Sequence, residues 1–146
     1  MKRFLCVLPF AALLACDAQV GDGDGIVTGD EVPGIGWEAD LETFAHDVSG
    51  TAVIVDEDTI EIRDFVYDGG GINARFFVLP DGAPFHDEYE LTDNLVGQAF
   101  DGETLTLTLP EGATFEDFNL ITFWCVPVGI PFGQGVFSPP ADGAAL

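Results

Sequence analysis

Residues 104–109 read Thr-Leu-Thr-Leu-Thr-Leu, an alternation of polar and apolar side chains with a period of two. This period is typical of a β-strand with one buried face, because successive side chains of a strand point to opposite sides of the sheet. Further segments rich in β-branched and aromatic residues are predicted as strands at residues 51–55, 59–67, 75–79, 120–126 and 135–138. The sequence therefore predicts an all-β fold, a small β-sandwich or barrel of about 7–9 short strands.

Turns and one short helix complete the predicted organisation. Turns rich in acidic residues, glycine and proline separate the strands at residues 56–58, 68–71, 80–82, 101–103 and 110–112. Ahead of the first strand, apolar side chains recur at helical spacing at Trp37, Leu41, Phe44 and Ala45. This spacing predicts a short N-terminal helix of two turns.

The composition is strongly acidic. The 146 residues include 26 Asp and Glu but only 4 Lys and Arg, which gives a formal net charge of −22 at pH 7. This balance argues against a nucleic-acid-binding protein, because contacts to phosphates need Lys and Arg in numbers. Hydrophobic residues nevertheless make up 47% of the chain, which is too many for a disordered acidic segment. We expect a single monomeric domain whose surface favours cationic ligands.

The N-terminal residues indicate export. Residues 1–15 combine two positive charges with an apolar stretch that is too short to span a membrane, as is typical of a signal peptide. Leu13-Leu14-Ala15-Cys16 matches a bacterial lipobox, in which the cysteine is acylated and becomes the first residue of the mature chain. We therefore expect a bacterial lipoprotein, anchored to a membrane through Cys16 and facing the periplasm or the cell surface. The alternative is ordinary signal-peptide cleavage, which would release a free secreted protein.

Residues 16–36 are predicted to form an acidic tether rich in Gly and Asp, followed by a β domain over residues 37–146. Within the tether, Asp22, Asp24 and Glu31 occupy ligand positions of an EF-hand calcium loop. The first position of that pattern is Val20, where a carboxylate is required, and Pro33 follows closely. A solvated acidic tether is therefore favoured over a weak calcium site.

Cys125 is the cysteine that remains after the other two are assigned. Cys6 lies in the predicted signal peptide and Cys16 is the predicted lipid attachment site, so Cys125 has no partner for an intramolecular disulfide. Its segment, residues 120–126, is mostly apolar on both faces, which predicts a well-buried strand. Three roles remain open for Cys125: an inert core side chain, a redox-active or cofactor-binding thiol, or an intermolecular disulfide.

His46 is a second candidate ligand. A His and a Cys could together bind a metal or haem iron, but a closed zinc site usually needs four protein ligands. The simpler interpretation is a histidine that is hydrogen-bonded at the start of a strand.

Hydrolytic chemistry has little support, because the sequence contains neither a nucleophile elbow nor a phosphate-binding glycine-rich loop before a helix.

Four sequence blocks carry a resemblance to a known family. They are Phe44-x-His46-x-Val48-Ser49-Gly50-Thr51-Ala52, Ile60-x-Ile62-x-x-Phe65, Leu107-x-Leu109-Pro110, and Ile121-Thr122-Phe123-Trp124-Cys125 followed by Phe132-Gly133. In order and spacing, from about residue 37 to residue 138, these blocks resemble the DM-thirteen domain, also called the electron-transfer DM domain. The His-x-x-x-Gly-Thr-Ala segment and the Trp-Cys pair are the most specific parts.

This resemblance implies an all-β fold and a redox or electron-transfer role in which Cys125 is the matching redox position. Domains of this family often lie beside DOMON domains, which resemble b-type cytochromes, and this sequence has no such segment. We therefore expect any redox partner to be separate or absent, and the cofactor stays open between none, haem and a metal, with His46 beside Cys125. The alternative is a non-enzymatic surface-binding or interaction module in which Cys125 is structural.

Overall fold

A computed structural model describes residues 32–141, and in this range the chain forms eight strands and no helix. The strands are β1 (Glu38–Asp40), β2 (Glu42–Thr43), β3 (Ser49–Asp56), β4 (Thr59–Tyr67), β5 (Ala74–Leu79), β6 (Phe100–Thr108), β7 (Leu120–Cys125) and β8 (Ile130–Val136).

The strands form two four-stranded sheets, which we call sheet A and sheet B. Sheet A has the order β1-β3-β4-β6, and sheet B has the order β2-β8-β7-β5. All neighbouring strands pair in the antiparallel sense. Because β1 and β2 follow each other along the chain but belong to different sheets, the chain crosses between the sheets at Leu41. The fold is an all-β sandwich, which confirms the predicted fold class.

The predicted strands are all present, although some of them begin earlier than expected. β6 begins at Phe100 and β8 at Ile130, whereas the sequence predicted residues 104 and 135. The turn predicted at residues 101–103 is wrong, because this segment lies within β6. There Phe65 pairs with Glu103 and Val66 pairs with Asp101, which leaves Gly102 unpaired with a φ of 92°. The glycine therefore marks a β-bulge and not a chain reversal.

The predicted N-terminal helix is also wrong. Its residues form β1 and β2, and Ala39 and Leu41 are buried while Glu38, Asp40 and Glu42 are exposed. The residues at helical spacing do not share a buried face, since Phe44 is 50% exposed. A segment this short gains little from an isolated helix, whereas pairing with β3 and β8 satisfies its backbone polar groups. The apolar residues Ala39 and Leu41, which alternate with polar residues, were the sequence signal for an extended segment.

Aromatic side chains fill the space between the two sheets. Phe65 of β4 lies with its ring centroid 5.3 Å from that of Phe76 on β5 and 5.8 Å from that of Phe123 on β7. These three rings and Tyr67 are at most 1% exposed. Burying a large side chain of this kind contributes about 1.5–3 kcal/mol, so this cluster joins sheet A to sheet B.

The residues just before the predicted domain boundary also contact the fold. Pro33 is buried, and the Gly36 amide donates a hydrogen bond to the Ile54 carbonyl at 2.8 Å. Cys16, Asp22, Asp24 and Glu31, with the predicted signal peptide, lie outside the described residues. Between residues 32 and 141, no helix has the length and apolar character that crossing a bilayer would require.

Candidate functional site

Cys125 is the last residue of β7, an interior strand of sheet B. It pairs with Ala74 of β5 on one side and with Ile130 of β8 on the other. The residue is 1% exposed, and its thiol forms no disulfide within residues 32–141. Ile121 and Phe123, on the same side of β7, are also fully buried. The thiol is therefore enclosed by the core and lies under the end of the sheet where β7 turns into β8.

Tyr67 packs from sheet A against the strand that carries this thiol. It is the last residue of β4, and its ring packs edge-on against Phe123 with the centroids 4.9 Å apart. The Tyr67 hydroxyl donates a hydrogen bond to the Gly70 carbonyl. Burial raises the pKa of Tyr67 to about 12, and negative charge at Asp68 and at Cys125 acts in the same direction. Tyr67 is therefore a neutral side chain at ordinary pH.

His46 and Asp68 form a pair at the edge of this cluster. His46 Nδ1 lies 3.1 Å from both carboxylate oxygens of Asp68. An ionised carboxylate can only accept hydrogen bonds, so Nδ1 carries the proton and Nε2 is left as the second ring position. The Asp68 carboxylate also accepts a hydrogen bond from the Gly70 amide at 2.6 Å. That amide and, next, His46 lower the pKa of the Asp68 carboxyl below its ordinary value.

Local backbone geometry sets the position of the His46 ring. His46 and Asp47 adopt left-handed φ values of 56° and 54° between β2 and β3. The ring packs against Phe132 with the centroids 4.3 Å apart and lies edge-on to Tyr67 at 6.4 Å. These contacts hold the imidazole between the aromatic cluster and solvent.

The glycines at 70 and 71 allow the close approach of these groups. A Cβ atom at Gly70 would lie 2.5 Å from His46 Nδ1 and 2.9 Å from a carboxylate oxygen of Asp68. A Cβ atom at Gly71 would lie 2.9 Å from the Phe132 ring, and Gly71 also has a φ of 108°. The glycine run that the sequence predicted as a turn therefore also forms one wall of the His46 site.

Tyr67, His46 and Asp68 thus form a contiguous group that runs from the core to the surface, and Tyr67 packs on Phe123 of the strand that ends at Cys125. A family model described as Electron transfer DM13 matches residues 40–136. The chain belongs to the DM13 family.

The DM13 domain also aligns with two curated proteins from Drosophila melanogaster. It is 31% identical over 147 residues to Protein Skeletor, isoforms B/C, and 31% identical over 147 residues to Protein Skeletor, isoforms D/E. Each alignment covers 97% of this chain but only 18% of the first protein and 9% of the second. The chain thus spans less than a fifth of these relatives. No solved structure matches the protein.

The described side chains around Cys125 do not form a metal-ion site. Residues 32–141 bring together no group of three or more His, Cys, Asp and Glu side chains that could hold a metal ion. Cys125 is packed between two neighbouring strands, and the His46 Nδ1 that faces Asp68 is already hydrogen-bonded. The thiol itself is therefore the candidate reacting group of the DM13 domain.

Tyr67 and Asp68 belong to the site but were not identified from the sequence. Tyr67 has the position of an ordinary last residue of a strand, and Asp68 has that of a common turn residue. Their importance depends on the long-range contacts to Phe123 and His46, which no local pattern encodes. The one available signal was that Tyr67-Asp68 directly precedes three consecutive glycines.

Proposed function

We propose that this DM13 domain is an exported electron-transfer domain whose redox group is the thiol of Cys125. The observation that carries the proposal is the position of the thiol, enclosed by the core at the end of the strand on which Tyr67 packs, with His46 and Asp68 next to Tyr67 towards the surface. The description of the family as electron transfer supports the same role. The buried thiol would be oxidised by a separate partner and would not itself react with substrates in solution.

In this proposal the core supplies a protected environment for the thiol. A thiol that is 1% exposed cannot easily form a disulfide or be attacked by large oxidants. An electron can leave through the packed aromatic side chains, whereas a bulky reagent must wait for the sheet to open. The oxidised partner takes one electron from the sulfur, the S–H bond breaks with its proton passing to water, and the thiyl radical that remains is reduced again when an electron and a proton return.

The proposed location is a membrane surface outside the cytoplasm of a bacterium. The signal-peptide pattern of residues 1–15 and the lipobox ending at Cys16 support it. A lipid on Cys16 would hold the domain at the membrane while the acidic residues keep its surface solvated. Localisation of the protein after metabolic labelling with a fatty acid tests this, with Cys16→Ser expected to abolish the label.

An electron count tests the redox proposal. We would replace Cys6 and Cys16 by Ser, so that Cys125 is the single cysteine, and titrate the protein without oxygen against tris(phenanthroline)cobalt(III). A cationic oxidant is appropriate because the chain carries a net charge of −22. We expect stoichiometric reduction of the oxidant, and none after a further Cys125→Ala substitution. Equal reduction by the two proteins would contradict the role of Cys125.

The second candidate function is a binding module in which Cys125 is structural. The observation that favours it is the same burial, since free cysteines often act as small core hydrophobes. Under this alternative, Cys125→Ala would change stability but would affect neither electron release nor partner binding. The electron count therefore separates the two functions.

A further inference from the structure

An exposed apolar segment covers the end of the sheet that contains Cys125. Residues 126–129 connect β7 to β8, and with Ile130, the first residue of β8, they are all exposed: Val126 at 39%, Val128 at 54% and Ile130 at 44%. From residue 120 to residue 138 the sequence contains no charged side chain. This is unusual in a chain where 26 of 146 residues are acidic, since solvent-exposed connections are usually polar.

A second loop extends this surface. The Val126 amide donates a hydrogen bond to the Asn73 carbonyl at 2.9 Å, which places Ile72 beside the β7–β8 connection. Ile72 is 66% exposed, the highest value among the large hydrophobic side chains of the described residues. We refer to residues 126–130 together with Ile72 as the apolar tip.

The apolar tip lies directly over the proposed redox group. The Gly129 amide donates a hydrogen bond to the Cys125 carbonyl at 2.9 Å, and Ile130 is the strand partner of Cys125. Phe132, two residues further along β8, contacts the His46 ring. A molecule seated on the tip would therefore lie next to the backbone neighbours of Cys125.

Acidic residues lie in the segments that adjoin the apolar tip. Asp68 precedes the loop that carries Ile72, Asp47 follows His46, whose ring packs on Phe132, and Asp93 precedes Asn94, which accepts a hydrogen bond from the Ala74 amide. Asp47 and Asp93 are exposed and form no salt bridge within residues 32–141. The two arginines of that range are already paired, Arg63 with Glu61 and Arg75 with Glu90. The segments next to the tip therefore carry acidic side chains that no arginine of this range neutralises.

We propose that the apolar tip is the docking surface for a separate redox protein that presents an apolar face bordered by Lys and Arg side chains. This inference rests on the proposed function, because it gives the partner a position over Cys125. Electron-transfer encounters bury small areas, and a small apolar centre with a charged border suits a complex that forms and separates quickly. A lipid bilayer fits less well, since residues 126–130 include no Lys, Arg, Trp or Tyr, and acidic residues border them.

Chemical-shift mapping with a basic c-type cytochrome as the probe tests this docking surface. Isotope-labelled protein is titrated with the cytochrome, and the amide signals of Val126, Val128, Gly129 and Ile130 are followed. We expect these signals to shift, and the affinity to fall as the Debye length shortens from about 30 Å at 0.01 M salt to about 8 Å at 0.15 M. If the amide signals of the tip do not shift, whether or not signals elsewhere do, the proposal is overturned.

A matched pair of variants separates the tip from general surface hydrophobicity. Val128→Ser with Ile130→Ser changes side chains that are 54% and 44% exposed, and Ile35→Ser with Val136→Ser changes side chains that are 55% and 45% exposed elsewhere. We expect the tip variant to weaken binding about tenfold through the loss of buried apolar area, with little effect of the control. Equal weakening by both variants would contradict a specific docking surface.

Two further measurements distinguish the possible failures. Neutral phosphatidylcholine vesicles replace the cytochrome in one arm, and loss of the tip signals there would overturn the protein partner in favour of a membrane. Cys125→Ala is mapped in the other arm, and it should bind like the wild-type protein. Binding at the tip without electron release by the wild-type protein would refute the redox role of Cys125 and leave the docking surface standing. Electron transfer to the cytochrome with a silent tip would refute the docking surface alone.

Discussion

Replacing Cys125 by Ser should destabilise the domain more than replacing it by Ala. The residue is 1% exposed, and its strand neighbours Ala74 and Ile130 have only apolar side chains. A serine hydroxyl at this position would lose its hydrogen bonds to water without gaining a hydrogen-bond partner in the protein, which costs about 1–3 kcal/mol. Alanine removes the sulfur and leaves a small cavity, which costs about 1 kcal/mol. Serine should therefore be the less stable variant by roughly 1–2 kcal/mol.

Urea unfolding followed by tryptophan fluorescence measures these differences. The control is Val126→Ser, because Val126 is the next residue but is 39% exposed, and its substitution should change stability by less than about 0.5 kcal/mol. A Cys125→Ser variant that is as stable as the wild-type protein would refute the reasoning. That result would mean that a polar group at this position is solvated, and that the thiol is accessible in the native state.

Three further predictions follow from the geometry of the site and the sheets. With its pKa raised to about 12, the neutral Tyr67 side chain should stabilise the folded state below pH 10, and this stabilisation should be lost as the pH rises through 12. Absorbance titration of the wild-type protein and of Tyr67→Phe measures the pKa of this phenol. Because folding lowers the pKa of Asp68, its ionised carboxylate should stabilise the folded protein above pH 3.8, the ordinary pKa of the group. This stabilisation should be lost as the pH falls through the lower pKa of the folded protein. Carboxyl NMR should show that midpoint below 3.8, with the Gly70 amide shifting in parallel, and a midpoint at or above 3.8 would contradict the pairing. Gly135→Ala should destabilise the fold by about 2 kcal/mol or more in urea, because its Cβ would lie 2.5 Å from the Asp40 carbonyl oxygen, while Gln134→Ala should have a small effect.

Most of the sheet structure could be predicted from local patterns. The strict alternation at residues 104–109 and the apolar segment at 120–126 each correspond to a strand, because one-sided or two-sided burial leaves a clear sequence period. The first strands could not be predicted in the same way. β1 and β2 contain three and two residues, too few to establish a period against the helical spacing of Trp37, Leu41 and Phe44.

The candidate site was only partly predictable. Cys125 stands out in the sequence because the other two cysteines are assigned to the predicted signal peptide and lipid attachment site, and His46 because it belongs to a recognisable motif. Their link through Tyr67 and Asp68 depends on contacts between residues that are far apart in sequence, such as those of Tyr67 with Phe123 and of Asp68 with His46. Such contacts follow from the pairing of sheets A and B, and a single sequence does not contain that information.

The most direct test of the account compares two rates on the same protein, with Cys125 as the single cysteine. One is the rate of oxidation by tris(phenanthroline)cobalt(III), and the other is the rate of modification by 5,5′-dithiobis(2-nitrobenzoate). If the buried thiol releases electrons through the packed core, oxidation should be faster than modification by orders of magnitude. Modification requires the core to open, whereas electron transfer does not. Equal rates for the two reagents would contradict the account, because both reactions would then depend on exposure of Cys125.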